Sequence, residues 1–229
     1  MTEFTTWRSL VDGEEISDIP DSDIYLQDDW GDNKLQDRDD SGTTTHNGVE
    51  GVYRPEWTAL NGDSNLSLAS VSNETLTVQS DEGLFADINL NLDETITWEW
   101  SNVDPSAGDA GGADNNWLGL FADDLDAVDA YVEGSYAIRV RNDEAAELIH
   151  ISDKSSSDGW TTIVGGSESI SGEVDITVTR DPDGSWQLFV DGSSQGTGTD
   201  TQSTDPSHLP IWCQPDRDAV IDVDEIKVF

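Results

Sequence analysis

Val174, Ile176 and Val178 alternate with Asp175, Thr177 and Thr179, the period of two that turns one side of a strand toward a core and the other toward water. Arg180-Asp181-Pro182-Asp183-Gly184-Ser185 then reverses the chain: proline fixes φ, aspartate bonds its own backbone and glycine accepts positive φ. Trp186, Leu188 and Val190 share one face of the return strand, and Asp191-Gly192-Ser193-Ser194 turns again. After a polar loop, Val220 to Phe229 reads as a terminal strand, so the stretch from Gly172 onward predicts three strands and two turns.

The same short-period pattern recurs upstream. Strands are predicted at Ile24 to Leu26, Leu66 to Leu68, Glu74 to Gln79, Leu84 to Leu92, Ile96 to Trp100, Trp117 to Phe121, Tyr136 to Val140, Glu147 to Ser152 and Trp160 to Val164. Asn, Asp and Gly clusters separate them, and that spacing predicts a sandwich. Ile96, Trp98 and Trp100 share one face; such a row is either core or the lining of a concave binding sheet, and the size of the indoles favours core. Phe121, Leu125, Val128 and Val132 fall at helical spacing and predict one short helix. Asp104 to Gly112 offers turn formers and no periodicity, hence a loop. Residues 1–20 cannot make a core alone. They form an arm that either packs on its own sandwich or docks on a neighbouring subunit through Trp7, Leu10, Ile16 and Ile19. The remaining residues, 21–229, suit one all-β domain. There is no repeat of fixed period, which argues against a solenoid or propeller.

The turn Asp181-Pro182-Asp183-Gly184, the run Trp186 to Gly192 and the ending Asp222-Val223-Asp224-Glu225-Ile226-Lys227-Val228-Phe229 together resemble the last third of the concanavalin A-like lectin/glucanase (LamG-type) superfamily. Ile24 to Asp32, with its Asp28-Asp29-Trp30-Gly31-Asp32, is similar to the opening of many such domains, and Arg54-Pro55-Glu56-Trp57-Thr58 with Gly62 to the segment that follows. The resemblance implies a two-sheet antiparallel jelly-roll sandwich over about residues 21–229. It also implies a structural calcium or magnesium ion tying first strand to last, with Asp28 or Asp29 and Asp222 or Asp224 as the matching positions. Ordinary surface acids are the competing explanation for these four, and Asp104, Asp109 and Asp114 form a second, weaker set.

Charge changes the picture most. There are 49 acidic residues against 10 basic ones, a formal charge of −39 spread along the whole chain. Such a charge destabilises a compact state by self-repulsion, and at about 1 M salt the screening length falls to about 3 Å, where the repulsion largely vanishes. The expected setting is therefore very high salt, in a haloarchaeon or a virus of one. Ten scattered basic residues cannot form the cationic patch that nucleic acid requires. No segment approaches a membrane span, and the first residues lack the pattern of a signal peptide, so synthesis in the cytoplasm without membrane insertion is expected. Cys213, the single cysteine, reads as a small buried residue beside Trp212, and the two glycosylation sequons, at Asn65 and Asn73, are not expected to be used.

Catalytic signatures are missing. The superfamily's glucanases carry their carboxylates as E-x-D-x-x-E or E-x-D-x-E on one strand, and no such run occurs here; no G-x-S-x-G elbow is present, and His46, His150 and His208 are isolated. Sugar binding needs flat apolar faces with amides or charged groups nearby, and nine tryptophans supply candidates. Trp117 after Asn115 and Asn116, and Trp160 after a serine-rich loop, are the expected platforms; their competing role is core. Arg139 and Arg141 share a face and either bind an acidic sugar or pair with local carboxylates.

These readings combine into a non-enzymatic virion-surface protein of a haloarchaeal virus, a capsid turret or decoration or a tail-associated protein. It would form a homo-oligomer, contact other virion proteins and touch host surface glycans. A purely structural virion module and a polysaccharide hydrolase or lyase are the alternatives. The charge argument makes one expectation independent of function: raising KCl from about 0.2 M to about 3 M lifts the thermal midpoint by on the order of 10 °C. Circular dichroism melts would check it, and a midpoint flat in salt would remove the halophilic reading.

Overall fold

Trp98 and Trp100 are 0% and 1% exposed in the computed structural model, so the alternating row they belong to is core. The structure describes residues 10, 11, 14, 15, 26–30, 35, 42–46, 49–55, 57–60, 69–79, 83–88, 90–105, 116–122, 127, 128, 131, 132, 134–141, 143–152, 159–202, 206–213 and 219–229. The first strands are β1 (Leu10–Val11), β2 (Glu14–Glu15), β3 (Leu26–Asp28), β4 (Gly42–His46), β5 (Val49–Arg54), β6 (Thr58–Ala59), β7 (Ala69–Ser72), β8 (Thr75–Gln79) and β9 (Gly83–Asp87). There follow β10 (Ile96–Val103), β11 (Asn116–Phe121), β12 (Ala127–Val128), β13 (Tyr131–Val132), β14 (Tyr136–Val140), β15 (Ala145–Ile151) and β16 (Trp160–Ser169). The chain closes with β17 (Val174–Arg180), β18 (Ser185–Val190), β19 (Ser193–Thr199), β20 (His208–Cys213), β21 (Val220–Val223) and β22 (Glu225–Val228).

Two large antiparallel sheets make the jelly-roll sandwich. One has the order β19-β18-β17-β10-β22-β3 and the other β16-β15-β14-β11-β20-β9-β6; β21-β8-β7 forms a smaller third sheet. The expected closure of first segment on last is present, since β3 pairs with β22 and places Gln27 opposite Lys227. Between the sheets, the Trp98 indole N–H donates to the Leu120 carbonyl at 3.0 Å, joining β10 to β11. Rings from both sheets pack around that bond: Trp98 on Trp186 at 6.0 Å, Trp186 on Tyr136 at 4.9 Å and Tyr136 against Phe121 at 4.9 Å. Burying rings of this size contributes strongly to hydrophobic stabilisation, and truncating one of them to alanine typically costs about 3–5 kcal/mol.

Three expectations are corrected. Phe121, Leu125, Val128 and Val132 do not form a helix: Phe121 ends β11, and β12 and β13 pair with Ala127 opposite Val132. A short isolated helix is marginal in water, and strand pairing wins. The polar loop after Asp191 contains β19 and β20. In β19 no apolar alternation exists; it is placed by close approach, since a Cβ on Gly198 would come within 2.2 Å of the Ile163 carbonyl oxygen. Its Gln195 Oε1 accepts from the Ser167 and Glu168 amides at 3.0 and 3.2 Å, fastening the edge of one sheet to β16 of the other.

The terminal strand, finally, is two. β21 belongs to the third sheet and β22 to the six-stranded one, and Asp224 sits at the break. Its amide donates to the Ser101 carbonyl at 3.1 Å, while its carboxylate accepts from Thr75 Oγ1 at 2.6 Å and Asn102 Nδ2 at 2.9 Å. The Leu84 strand also stops early, at Asp87, while Leu26 of the expected Ile24 to Leu26 strand lies in β3, Ile24 and Tyr25 being outside the described residues. The strand expected at Leu66 to Leu68 lies outside the described residues, as do Trp7, Ile16 and Ile19 of the arm. Leu10 lies in β1, paired with Glu15. Among the described residues no helix is long and apolar enough to cross a membrane.

Backbone approach gives a clean test of the packing. A Cβ on Gly119 would lie 2.1 Å from the Pro210 carbonyl oxygen, whereas one on Gly165 meets only Thr162 Cγ2 at 3.9 Å. In urea titrations Gly119→Ala is expected to lose about 2–3 kcal/mol and Gly165→Ala to stay within about 0.5 kcal/mol of wild type. Equal losses would mean that β11 and β20 are not packed this way.

Candidate functional site

The seven-stranded sheet buries both faces at its centre. Along β11, Leu118 and Leu120 enter the main core, while Trp117 joins a second cluster with Ala122, Ala137, Ile149, Ile151 and Trp212 on the opposite side. Register then sets one row straight across that outward face: Gly83, Trp212, Trp117, Arg139, Glu147 and Gly165. Trp117 stacks on Trp212 at 5.8 Å and meets Trp160 edge-on at 5.9 Å. The Arg139 guanidinium lies 5.3 Å from the Trp160 ring centre and forms an ion pair with Glu147. Arg141 pairs with Glu144 on the same side. Arg139 and Glu147 keep 12% and 24% of their side-chain surface, and Trp160 is partly exposed.

The expected sugar-binding residues thus separate. Trp117, Trp160, Arg139 and Arg141 share this face, but Trp117 is fully buried beneath its neighbours and offers no open ring. One face of Trp160 is taken by the guanidinium. Asn116 points the other way, 2% exposed, with Nδ2 donating to the Val220 carbonyl at 3.2 Å; Asn115 lies outside the described residues. What the arrangement presents is a guanidinium–carboxylate pair held on an aromatic floor. Glu147 and Trp212 were missed from sequence. The signal for Glu147 existed: strands 136–140 and 147–152, paired about the turn at Asp143, which has φ 61°, bring Arg139 opposite Glu147.

The acids expected to hold a cation are engaged by protein donors. Asp28, fully buried, accepts from Trp57 Nε1 at 2.8 Å and from the Trp30 amide at 3.0 Å, fixing Trp30 at φ 53°. Asp29 follows it, partly buried. Asp222 accepts from Thr77 Oγ1 at 2.6 Å, and its backbone exchanges hydrogen bonds with Asp104. Asp104 of the second expected set therefore joins Asp222 and Asp224 of the first; Asp109 and Asp114 lie outside the described residues. Among the described residues no group of three or more His, Cys, Asp or Glu side chains is placed to hold a metal ion.

No protein-family model matches the chain, and no curated protein sequence does. Solved structures match it in fold. The botulinum neurotoxin serotype D binding domain aligns with a TM-score of 0.52 and 11% identity over 82% of this chain and 47% of its own. The chain therefore spans about half the length of that neurotoxin domain. The carbohydrate binding module CBM66 from Bacillus subtilis aligns at 0.51 and 15% over 74% of this chain and 94% of the module. β-Agarase A, solved in complex with oligoagarose, aligns at 0.50 and 13% over 72% and 75%. At these identities the likeness establishes the fold alone: this chain is an antiparallel jelly-roll sandwich.

The acids generate a pH prediction. Burial, reinforced by Asp104 and Asp224, raises the Asp222 carboxyl above its ordinary value despite the Thr77 hydrogen bond. The native state thus keeps this proton at a pH where the unfolded chain has lost it. Its contribution to stability falls as pH rises from about 3.8 through the raised value and stays lower above it. Asp222→Asn, which keeps an acceptor for Thr77, should gain roughly a few tenths of a kcal/mol at neutral pH, screening at this half-exposed site keeping it small. The gain should vanish below the carboxylate range in urea titrations against pH. A loss of stability at neutral pH would show that the Asp222 charge is instead held by a cation.

Proposed function

We propose that this chain is a non-catalytic carbohydrate-binding module whose binding face is the outward side of the seven-stranded sheet, centred on Arg139, Glu147 and Trp160. The observation that carries the reading is the partly exposed ion pair lying on an indole floor, in register with two further tryptophans. Planar apolar surface beside fixed donors and acceptors is what sugar rings and hydroxyls require. The shared fold supports it, since one neighbour is named as a carbohydrate binding module. The acid excess supports a setting in molar salt, and the finer reading sets the module on a haloarchaeal virion, as a homo-oligomeric protein attaching to host surface glycans. An oligomer suits weak sugar contacts, which gain avidity when presented together.

Glycan arrays probed with the intact protein in about 2 M KCl, a salt chosen to screen its charge, test the reading. Wild type is expected to retain a defined glycan set. Trp160→Ala, at a partly exposed position, should weaken retention at least about tenfold with little change in the melting midpoint. No retention of any glycan would overturn the proposal, and sugar release from a polysaccharide would replace it with an enzyme.

A further inference from the structure

Resting on the glycan-binding reading above, we infer that this face selects neutral sugars with adjacent hydroxyls and rejects acidic ones. The argument is one of donors and acceptors. A guanidinium offers only donors and an ionised carboxylate only acceptors, so the Arg139–Glu147 pair presents both kinds side by side. Two neighbouring hydroxyls each donate and accept, and such a pair of groups satisfies both partners at once. A uronate or sialate carboxylate only accepts. It would have to displace Glu147 from Arg139 or lie against the Glu147 oxygens with no proton between them.

Among the described residues the surroundings give an anion no second opening: Arg141, on the same side, is held by Glu144. Glu147 Oε2 is the oxygen that meets Arg139 and is fully buried, while the Glu147 side chain as a whole stays 24% exposed, so the pair is reachable without being broken. Trp160 supplies apolar surface for the C–H face of a sugar, but with a guanidinium already over its ring it does not decide between neutral and acidic ligands. Selection therefore lies in the ion pair. It also differs from the general repulsion of anions by a chain of net charge −39, which acts over distance and is screened away in molar salt. Exclusion by Glu147 acts at contact and is retained there.

Titration calorimetry with neutral hexose oligosaccharides and with oligohexuronates, at about 0.5 M and about 3 M KCl, separates these effects. Wild type is expected to bind the neutral probes at both salts and the acidic probes at neither. Glu147→Gln keeps the shape and removes the negative charge that an acidic ligand would meet. It should weaken neutral binding about tenfold and bring in oligohexuronate binding. Wild type binding oligohexuronates as well as neutral probes at about 3 M KCl overturns the inference while leaving the glycan-binding reading standing. Binding of neither class overturns both.

Discussion

The hydrogen bond from the Trp98 indole to the Leu120 carbonyl sets the geometry on which the rest of the sandwich depends. An indole N–H taken out of water must find an acceptor, and this one finds it on the opposite sheet. Trp98 is also where β10 pairs with Val178 on one side and Val228 on the other, so placing it fixes the register of three strands. Leu120 fixes β11 in turn. Because side chains alternate with a period of two, a slip of one residue would turn every inward ring outward. Once Leu118 and Leu120 face the core, Trp117 has to face the other way, and the position of the outward cluster follows from an interaction on the far side of the sheet.

Much of this was legible in the sequence where the pattern is simple. The strands at 96–103, 174–180 and 185–190 bury alternate residues over most of their length, because one face meets the core and the other meets water. Elements placed by other means escaped. Ser193–Thr199 carries no apolar alternation; it is held by glycine approach and the Gln195 amide, which leave no hydropathy signature. His208–Cys213 is almost wholly buried in mid-sheet despite Pro210, a residue that argues for an edge. The break at Asp224 was invisible for a similar reason. A carboxylate that fastens a strand to two neighbours looks, in a chain with 49 acids, like one more surface charge.

The same limit explains the site. A strand buried on both faces loses its polar side, and β11 is buried at every position. A tryptophan beside a polar loop can be an open platform or core, and Trp117 is core, lying beneath the pair as its floor. The proposed binding face then rests on the charged pair above the rings, and that pair exists only through strand register. Arg139 and Glu147 are eight positions apart in sequence and become neighbours through the turn at Asp143. Residue types alone named the arginine as a binding candidate, but not the carboxylate it pairs with.

How the described cations are used bears on the proposed dependence on salt. Four basic side chains are described, and each has a partner: Arg139 with Glu147, Arg141 with Glu144, Lys227 with Glu225, and Arg180 over the Trp186 ring with its Nη1 on the Leu92 carbonyl. Each of these four cations is engaged by groups close to it, so they neutralise their immediate neighbours rather than the acid excess as a whole. Relief must come from ions in solution, whose screening reaches every acid alike. A surface of that kind makes long-range charge a poor basis for choosing a ligand in molar salt. Contact hydrogen bonds set on an apolar floor survive there, because they depend on shape and on donor–acceptor matching rather than on field.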